Sequence, residues 1–213
     1  MKIIATKQKR KFLNIVTWRN FCKFGKHNFY NTKFKMKSTF LTIFLLICFS
    51  GISQVDDFQK EIIDYLDING TRVQYSIAFY ELFPVLERNF RDKEIPEEAW
   101  EELKLDEEDQ IDDIISRLTF AYRKYFTRED IAKMNDFYSS EVGQKVVSDY
   151  ALTEEENAVF QEYLDSDVSK KFEKNRKELT KDIEKISSDW SRELFGTKIK
   201  QLVKGGYLTV DKQ

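Results

Sequence analysis

The stretch "FTREDIAKMNDFYSSEVGQK", Phe126 to Lys145, contains two helix starts and decides how the chain folds. Thr127 and Asp130 stand three apart, as in a capping box. The threonine oxygen accepts an orphan backbone N–H, and the carboxylate reaches back while sitting at the positive end of the helix. The helix begun there places Ile131, Met134, Phe137 and Tyr138 on one face. Ser140 can cap a second helix with Glu141 in its first turn, and Val142, Val146 and Tyr150 are expected to carry its apolar face. Gly143 falls inside that helix, where glycine costs about 1 kcal/mol relative to alanine. Its use there is to let another helix approach the backbone. The stretch is read as the corner of a helical hairpin.

The corner recurs. Shifted by 26 positions, residues 127–149 lie over residues 153–175, so that Thr127 meets Thr153, Ala132 meets Ala158, Phe137 meets Tyr163, Ser140 meets Ser166, Val142 meets Val168 and Lys145 meets Lys171. The repeated features are caps and core positions, as in a duplicated hairpin.

Apolar residues at helical spacing extend this reading in both directions. Val55, Phe58, Ile62, Tyr65 and Leu66 form one run, which Asn69 and Gly70 end in a left-handed cap. Thr71 is expected to cap the next helix, with Val73, Ile77, Tyr80 and Phe83 as its apolar residues and Pro84 as a kink or restart. Pro96 suits a first helical turn, Trp100 is a hydrophobic plug, and Ile111, Ile114, Ile115, Leu118, Tyr122 and Tyr125 mark a long amphipathic helix. From Phe172, the residues Leu179, Ile183, Ile186, Trp190 and Leu194 continue either as a packed terminal helix or as a surface for another helix. After Gly205 and Gly206, Tyr207, Leu208 and Val210 either dock back or form a peptide-like handle. The fold class is all-α, a single helical domain of about six to eight helices built from antiparallel hairpins.

Charge divides the chain sharply. All 37 Asp and Glu lie from Gln54 onward, whereas eleven of the 35 Lys and Arg precede it, leaving 24 and a formal charge of −13 on residues 54–213. Within the basic part, "MKSTFLTIFLLICFSGIS", residues 36–53, has the three zones of a secretory signal: Lys37, an apolar run from about Thr39 to Phe49, and small Gly51 and Ser53 before Gln54. The run is about half the ~20 residues of a membrane-spanning helix. A lipid-anchored alternative would use Cys48, but Ile47 sits where such signals carry a small residue. Residues 1–35 precede a complete signal and are expected to be non-native or removed with it. Their basic and aromatic residues could otherwise be read as a nucleic-acid or membrane arm. The mature domain is expected to span 54–213, without a transmembrane segment, in the periplasm or secreted.

The stretch from Leu118 to Lys145 resembles the bacterial family known as domain of unknown function 2059, whose members show a tyrosine, a Phe-Thr pair opening a helix, then Phe-Tyr-x-Ser and Gly-x-Lys. Tyr125, Phe126, Thr127, Phe137, Tyr138, Ser140, Gly143 and Lys145 match position by position. Glu141 departs from the pattern, in which proline is common, but both residues suit a first helical turn. The resemblance implies an exported, all-helical protein of unsettled biochemical role, and it brings no catalytic residues.

The chemistry open to residues 54–213 is narrow. Cys22, His27 and Cys48 all precede Gln54, which leaves no disulfide, no Cys or His zinc site, no cysteine nucleophile and no histidine-based triad. Negative charge argues against nucleic acid and anionic lipid as primary partners. "DYLDINGT" resembles part of a calcium loop, but Tyr65 and Ser76 would fall at the first and twelfth ligand positions. The run "EEAWEELKLDEEDQIDD" reads as solvated helix surface rather than a cation or basic-partner site. Tyr138 and Lys145 are expected to pack rather than act as an acid–base pair.

No cofactor, metal or catalytic residue is therefore expected, and Phe126, Thr127, Phe137, Tyr138, Ser140, Gly143 and Lys145 are read as structural. The expected function is a non-catalytic interaction or adaptor module of the bacterial envelope, contacting an envelope protein or itself. The alternative is a carrier of a lipid or other apolar small molecule, lined by Phe79, Tyr80, Phe83, Phe90, Trp100, Phe120, Tyr122, Phe126, Phe137 and Tyr138. A carboxylate-based hydrolase is the third reading.

Overall fold

The computed structural model describes residues 56–209. The signal segment 36–53, the upstream residues 1–35, Val55 and Val210 lie outside the described residues. Within them the chain forms eight helices: α1 (Asp57–Ile68), α2 (Thr71–Asn89), α3 (Glu97–Glu102), α4 (Glu107–Tyr125), α5 (Arg128–Ser139), α6 (Glu141–Val147), α7 (Glu154–Asp165) and α8 (Asp167–Lys204). No strand occurs among the described residues, and the fold is all-α.

Each boundary has a local cause. Asp56 caps α1 by accepting from the Gln59 N–H at 2.8 Å. Gly70 takes φ 85° between α1 and α2, a left-handed conformation that glycine adopts without a Cβ penalty. Thr71 is the first residue inside α2 rather than its cap. The cap role passes to the Asn69 side chain, which accepts from the Thr71 N–H at 3.0 Å. Pro84 does not restart α2, which runs continuously from Thr71 to Asn89 with Pro84 on its exposed side. Three acidic residues open α4 and Arg123 and Lys124 close it, matching the helix dipole.

The core is built around α4, which packs against α1, α2 and α8, with α5 laid along α1. Ile62 and Leu66 of α1, Ile114, Ile115 and Leu118 of α4, and Leu179 and Leu194 of α8 are buried. The terminal helix is thus a packed one, 38 residues and about 57 Å long at 1.5 Å per residue. Its middle is fixed by Trp190, whose ring meets Tyr75 of α2 edge-on at 5.5 Å and whose indole N–H donates to the Gln110 carbonyl at 3.2 Å. Beyond Gly206 the chain turns, and Leu208 docks back into the core.

The acidic run over α3 and α4 does more than face solvent. Glu107 accepts from Ser76 and Tyr80 of α2, both at 2.5 Å. Asp112, together with Asp67, holds Arg72 at 2.7 Å. Asp113 and Glu193 hold Arg117 from two sides at 2.8 Å. Glu107 and Asp112 tie α4 to α2, and the Arg117–Glu193 pair ties it to α8, roles that linear sequence does not distinguish from solvation.

Candidate functional site

The motif residues converge where the two halves of the repeat meet. In the first half, Thr127 caps α5 with a complete capping box: its Oγ accepts from the Asp130 N–H, and its own N–H donates to the Asp130 carboxylate at 2.8 Å. In the second, Thr153 caps α7 in the same way with Glu156. Both helices run twelve residues and stop at a serine that caps the next helix. Ser140 takes φ −72°, ψ 159° and Ser166 takes φ −67°, ψ 158°. Each serine donates to a carbonyl three residues back, Phe137 or Tyr163, at 2.6 Å. The 26-residue repeat is therefore repeated geometry as well as repeated sequence.

The contacts between the halves are reciprocal. Lys145 of the first half pairs with Glu156, the capping-box carboxylate of the second, and Lys171 of the second half pairs with Asp130, the capping-box carboxylate of the first. The rings of Phe137 and Tyr163, equivalent in the repeat, stack on each other at 3.8 Å with 5° between their planes. A contact in which i meets j while the equivalent of j meets the equivalent of i is the mark of a two-fold relation. The two hairpin corners thus face each other across a pseudo-dyad that passes between Phe137 and Tyr163.

Electrostatics follow from these pairs. Burial pushes the Asp130 carboxyl up, but bonds from Lys171 and from the Thr127 backbone outweigh it and leave the group below its ordinary range. Glu156 is also lowered, first by the Lys145 bond and then by the Thr153 N–H. Bonds to Glu141 and Glu156 raise Lys145 to about 12. Both carboxylates are thereby held charged where the helix N-termini and the lysines favour it.

Behind the stack sits a group of buried phenols. Tyr65 of α1 meets Tyr122 of α4 and Tyr138 of α5 edge-on, each at 5.6 Å, and Tyr138 meets Tyr163 at 5.9 Å. Phe126 stacks on Phe172 at 5.9 Å and closes the group on the α8 side. Burial pushes the Tyr122 and Tyr138 phenols well up, and Tyr65 to about 12. These side chains are neutral near pH 7 and serve as packing with a polar tip.

All seven motif residues lie at this junction, but they are not assembled for proton transfer. Tyr138 is buried among aromatic rings, whereas the Lys145 ammonium goes to Glu141 and Glu156. Gly143 allows a close approach, though not by a remote helix. A Cβ there would run into the Phe137 carbonyl oxygen and lie 2.8 Å from Tyr138 Cα, so the glycine accommodates the last turn of α5, the preceding helix. Tyr150 does not continue the face of α6. That helix ends at Val147, and Tyr150 lies exposed in the connection to α7.

Two features escaped sequence reasoning. The first is the orientation of α2, which buries Tyr75, Ala78, Phe79, Leu82, Phe83 and Leu86. Val73, Ile77 and Tyr80, expected inside, are 60%, 49% and 46% exposed. With exposed Pro84 they form an outward row at spacings of four, three and four. Both faces of α2 are apolar, so periodicity could not choose between them. The second is Lys198, wholly buried, paired with Asp106 and lying 5.2 Å from the centre of the Phe79 ring. Of the aromatic residues proposed to surround a ligand, Tyr80 and Phe120 face outward.

Comparison of the chain with curated proteins and with solved structures gives no match. Residues 112–170 run from the middle of α4 through α5, α6 and α7 into α8, and include both capping boxes and the stacked pair. They match the family described as "Uncharacterized protein conserved in bacteria (DUF2059)", the family whose pattern the sequence resembles.

Proposed function

We propose that the chain is an exported, non-catalytic interaction module of the bacterial envelope that receives an apolar helical segment of another envelope protein on the outer face of α2. The observation that carries this reading is the row Val73, Ile77, Tyr80 and Pro84, which the domain's own core leaves outside. Its four-three-four spacing suits a helix laid alongside, as in a two-helix seam. The Tyr80 hydroxyl is held by Glu107, which orients the ring within the row. The tripartite segment 36–53 supports export.

The interior supports a surface role over a carrier role. Rings from α1, α4, α5, α7 and α8 touch one another, and among them are Tyr122, Phe126, Phe137 and Tyr138, four of the residues that would line a carrier's cavity. The motif residues are likewise engaged in caps, ion pairs and packing.

The test is a photo-crosslinking residue placed at Ile77 in the full chain and activated in intact cells. A discrete adduct with another envelope protein is expected, and it should disappear when Val73 and Tyr80 are both changed to serine. Labelling from Ile77 no greater than that from exposed Lys174 would overturn the reading.

A further inference from the structure

The interface between the two hairpin corners is self-complementary, and that property extends beyond one molecule. Because Lys145 meets Glu156 and Lys171 meets Asp130, each half presents a surface that recognises the other half in any copy of the chain. The stacked pair at the centre, Phe137 on Tyr163, is equally indifferent to which molecule supplies each ring. Only the connection 148–153 between α6 and α7 makes the contact intramolecular.

That connection carries a strained residue. Asp149 has φ 57°, the one non-glycine residue with positive φ among the described residues. The left-handed conformation costs most L-residues about 1–2 kcal/mol and an aspartate less, and short strained connections favour exchange of the elements they join. If the connection opens, Asp149 is released to an ordinary conformation, and every contact across the pseudo-dyad can re-form with a partner. The long α8 would travel with α7, carrying Trp190 and Lys198 into equivalent positions of the other copy.

We infer that the chain forms an exchanged dimer, in which α1–α6 of one copy pack with α7 and α8 of a second copy, hinged at residues 148–153. The partner is a second copy of this chain, and the interface is the one already present within the monomer. Exchange leaves the outer row of α2 uncovered, so this assembly is independent of the partner proposed for that face.

The test uses two full-length variants, Lys145→Glu and Glu156→Lys. Each alone sets like charges across one contact. In an exchanged heterodimer both copies of that contact regain opposite charges: the changed 145 position meets the changed 156 position, and native Lys145 meets native Glu156. The variants are unfolded together and refolded, then analysed by native mass spectrometry. The expected result is a heterodimer at least about tenfold over either homodimer, against a statistical twofold. A statistical distribution, or monomers only, would overturn the inference.

A second pair of variants avoids the ion pairs. Asp149→Ala, which tolerates the left-handed conformation less well, should raise the dimer fraction of concentrated protein about fivefold. Asp149→Gly, which relaxes the turn in place, should lower it. A dimer fraction that does not respond to either change would also overturn the inference.

Discussion

Phe137 and Tyr163 stack at 3.8 Å with nearly parallel rings, although they come from different helices and are related by the 26-residue repeat. Each sits three residues before the serine that ends its helix, so the same cap that stops the helix also presents the ring. Aromatic pairs contribute about 0.5–1.5 kcal/mol beyond the area they bury. A double-mutant cycle with Phe137→Leu and Tyr163→Leu, followed by urea denaturation, should return a coupling of about 1 kcal/mol.

Gly143 tests the tightness of the corner. Alanine would gain about 1 kcal/mol of helix propensity, but its Cβ would press on the backbone of Phe137 and Tyr138. Backbone cannot move aside as a flexible side chain does, and overpacking of this kind costs about 1–3 kcal/mol. Gly143→Ala should therefore destabilise the protein by a net ~1 kcal/mol in chemical denaturation. A stabilised variant would show that the last turn of α5 is free to shift.

The two capping-box carboxylates predict acid sensitivity with a definite sign. Asp130 and Glu156 are both lowered in the folded protein, by Lys171 and Lys145 respectively together with backbone N–H groups. A carboxyl that holds its proton less tightly when folded adds stability above its unfolded value, and this is lost as pH falls through the folded value. The melting temperature should thus drop on acidification below about pH 4, the ordinary carboxylate range. With Asp130→Asn and Glu156→Gln combined, the melting temperature at pH 7 should be lower and the acid-dependent drop smaller.

Lys198 and Asp106 should respond unequally to substitution. Lys198 is entirely buried, whereas the Asp106 side chain keeps 26% of its exposure and can be rehydrated. Lys198→Met removes the buried cation, keeps an apolar chain of similar shape, and leaves behind only a carboxylate that water can reach, so its cost should be the smaller. Asp106→Ala leaves the ammonium in the core without its carboxylate, at a cost of about 3–5 kcal/mol. Thermal unfolding of the two variants gives the comparison directly, and equal losses would contradict it.

The two faces of α2 should also separate. Phe79→Ala opens a cavity in the core and should cost about 3–5 kcal/mol. Ile77→Ser lies outside the packed interior and should stay within about 0.5 kcal/mol in denaturation, even where it removes contact with a partner.

Much of this was written locally. Thr127 with Asp130, Ser140, and the left-handed Gly70 act within three or four residues, and each appears where the spacing places it. The second capping box was legible as well, because the 26-residue shift carries Thr153 onto Thr127. Thr71 misled because Asn69 lies two residues earlier and offers a better-placed oxygen to the same helix start. Tyr150 misled because an apolar spacing does not reveal that α6 stops at Val147.

Capping, periodicity and repetition are short-range properties, and by themselves they determined that this protein is all-helical, where most of its helices begin and that one corner is duplicated. Which face of α2 turns inward, which lysine is buried, and that each lysine of the repeat reaches the other half's capping carboxylate were decided only by tertiary structure. Those outcomes depend on groups 11 to 92 residues apart competing for the same interior. A helix with two apolar faces, or a carboxylate with several lysines within reach, has no preference until the neighbouring helices have packed.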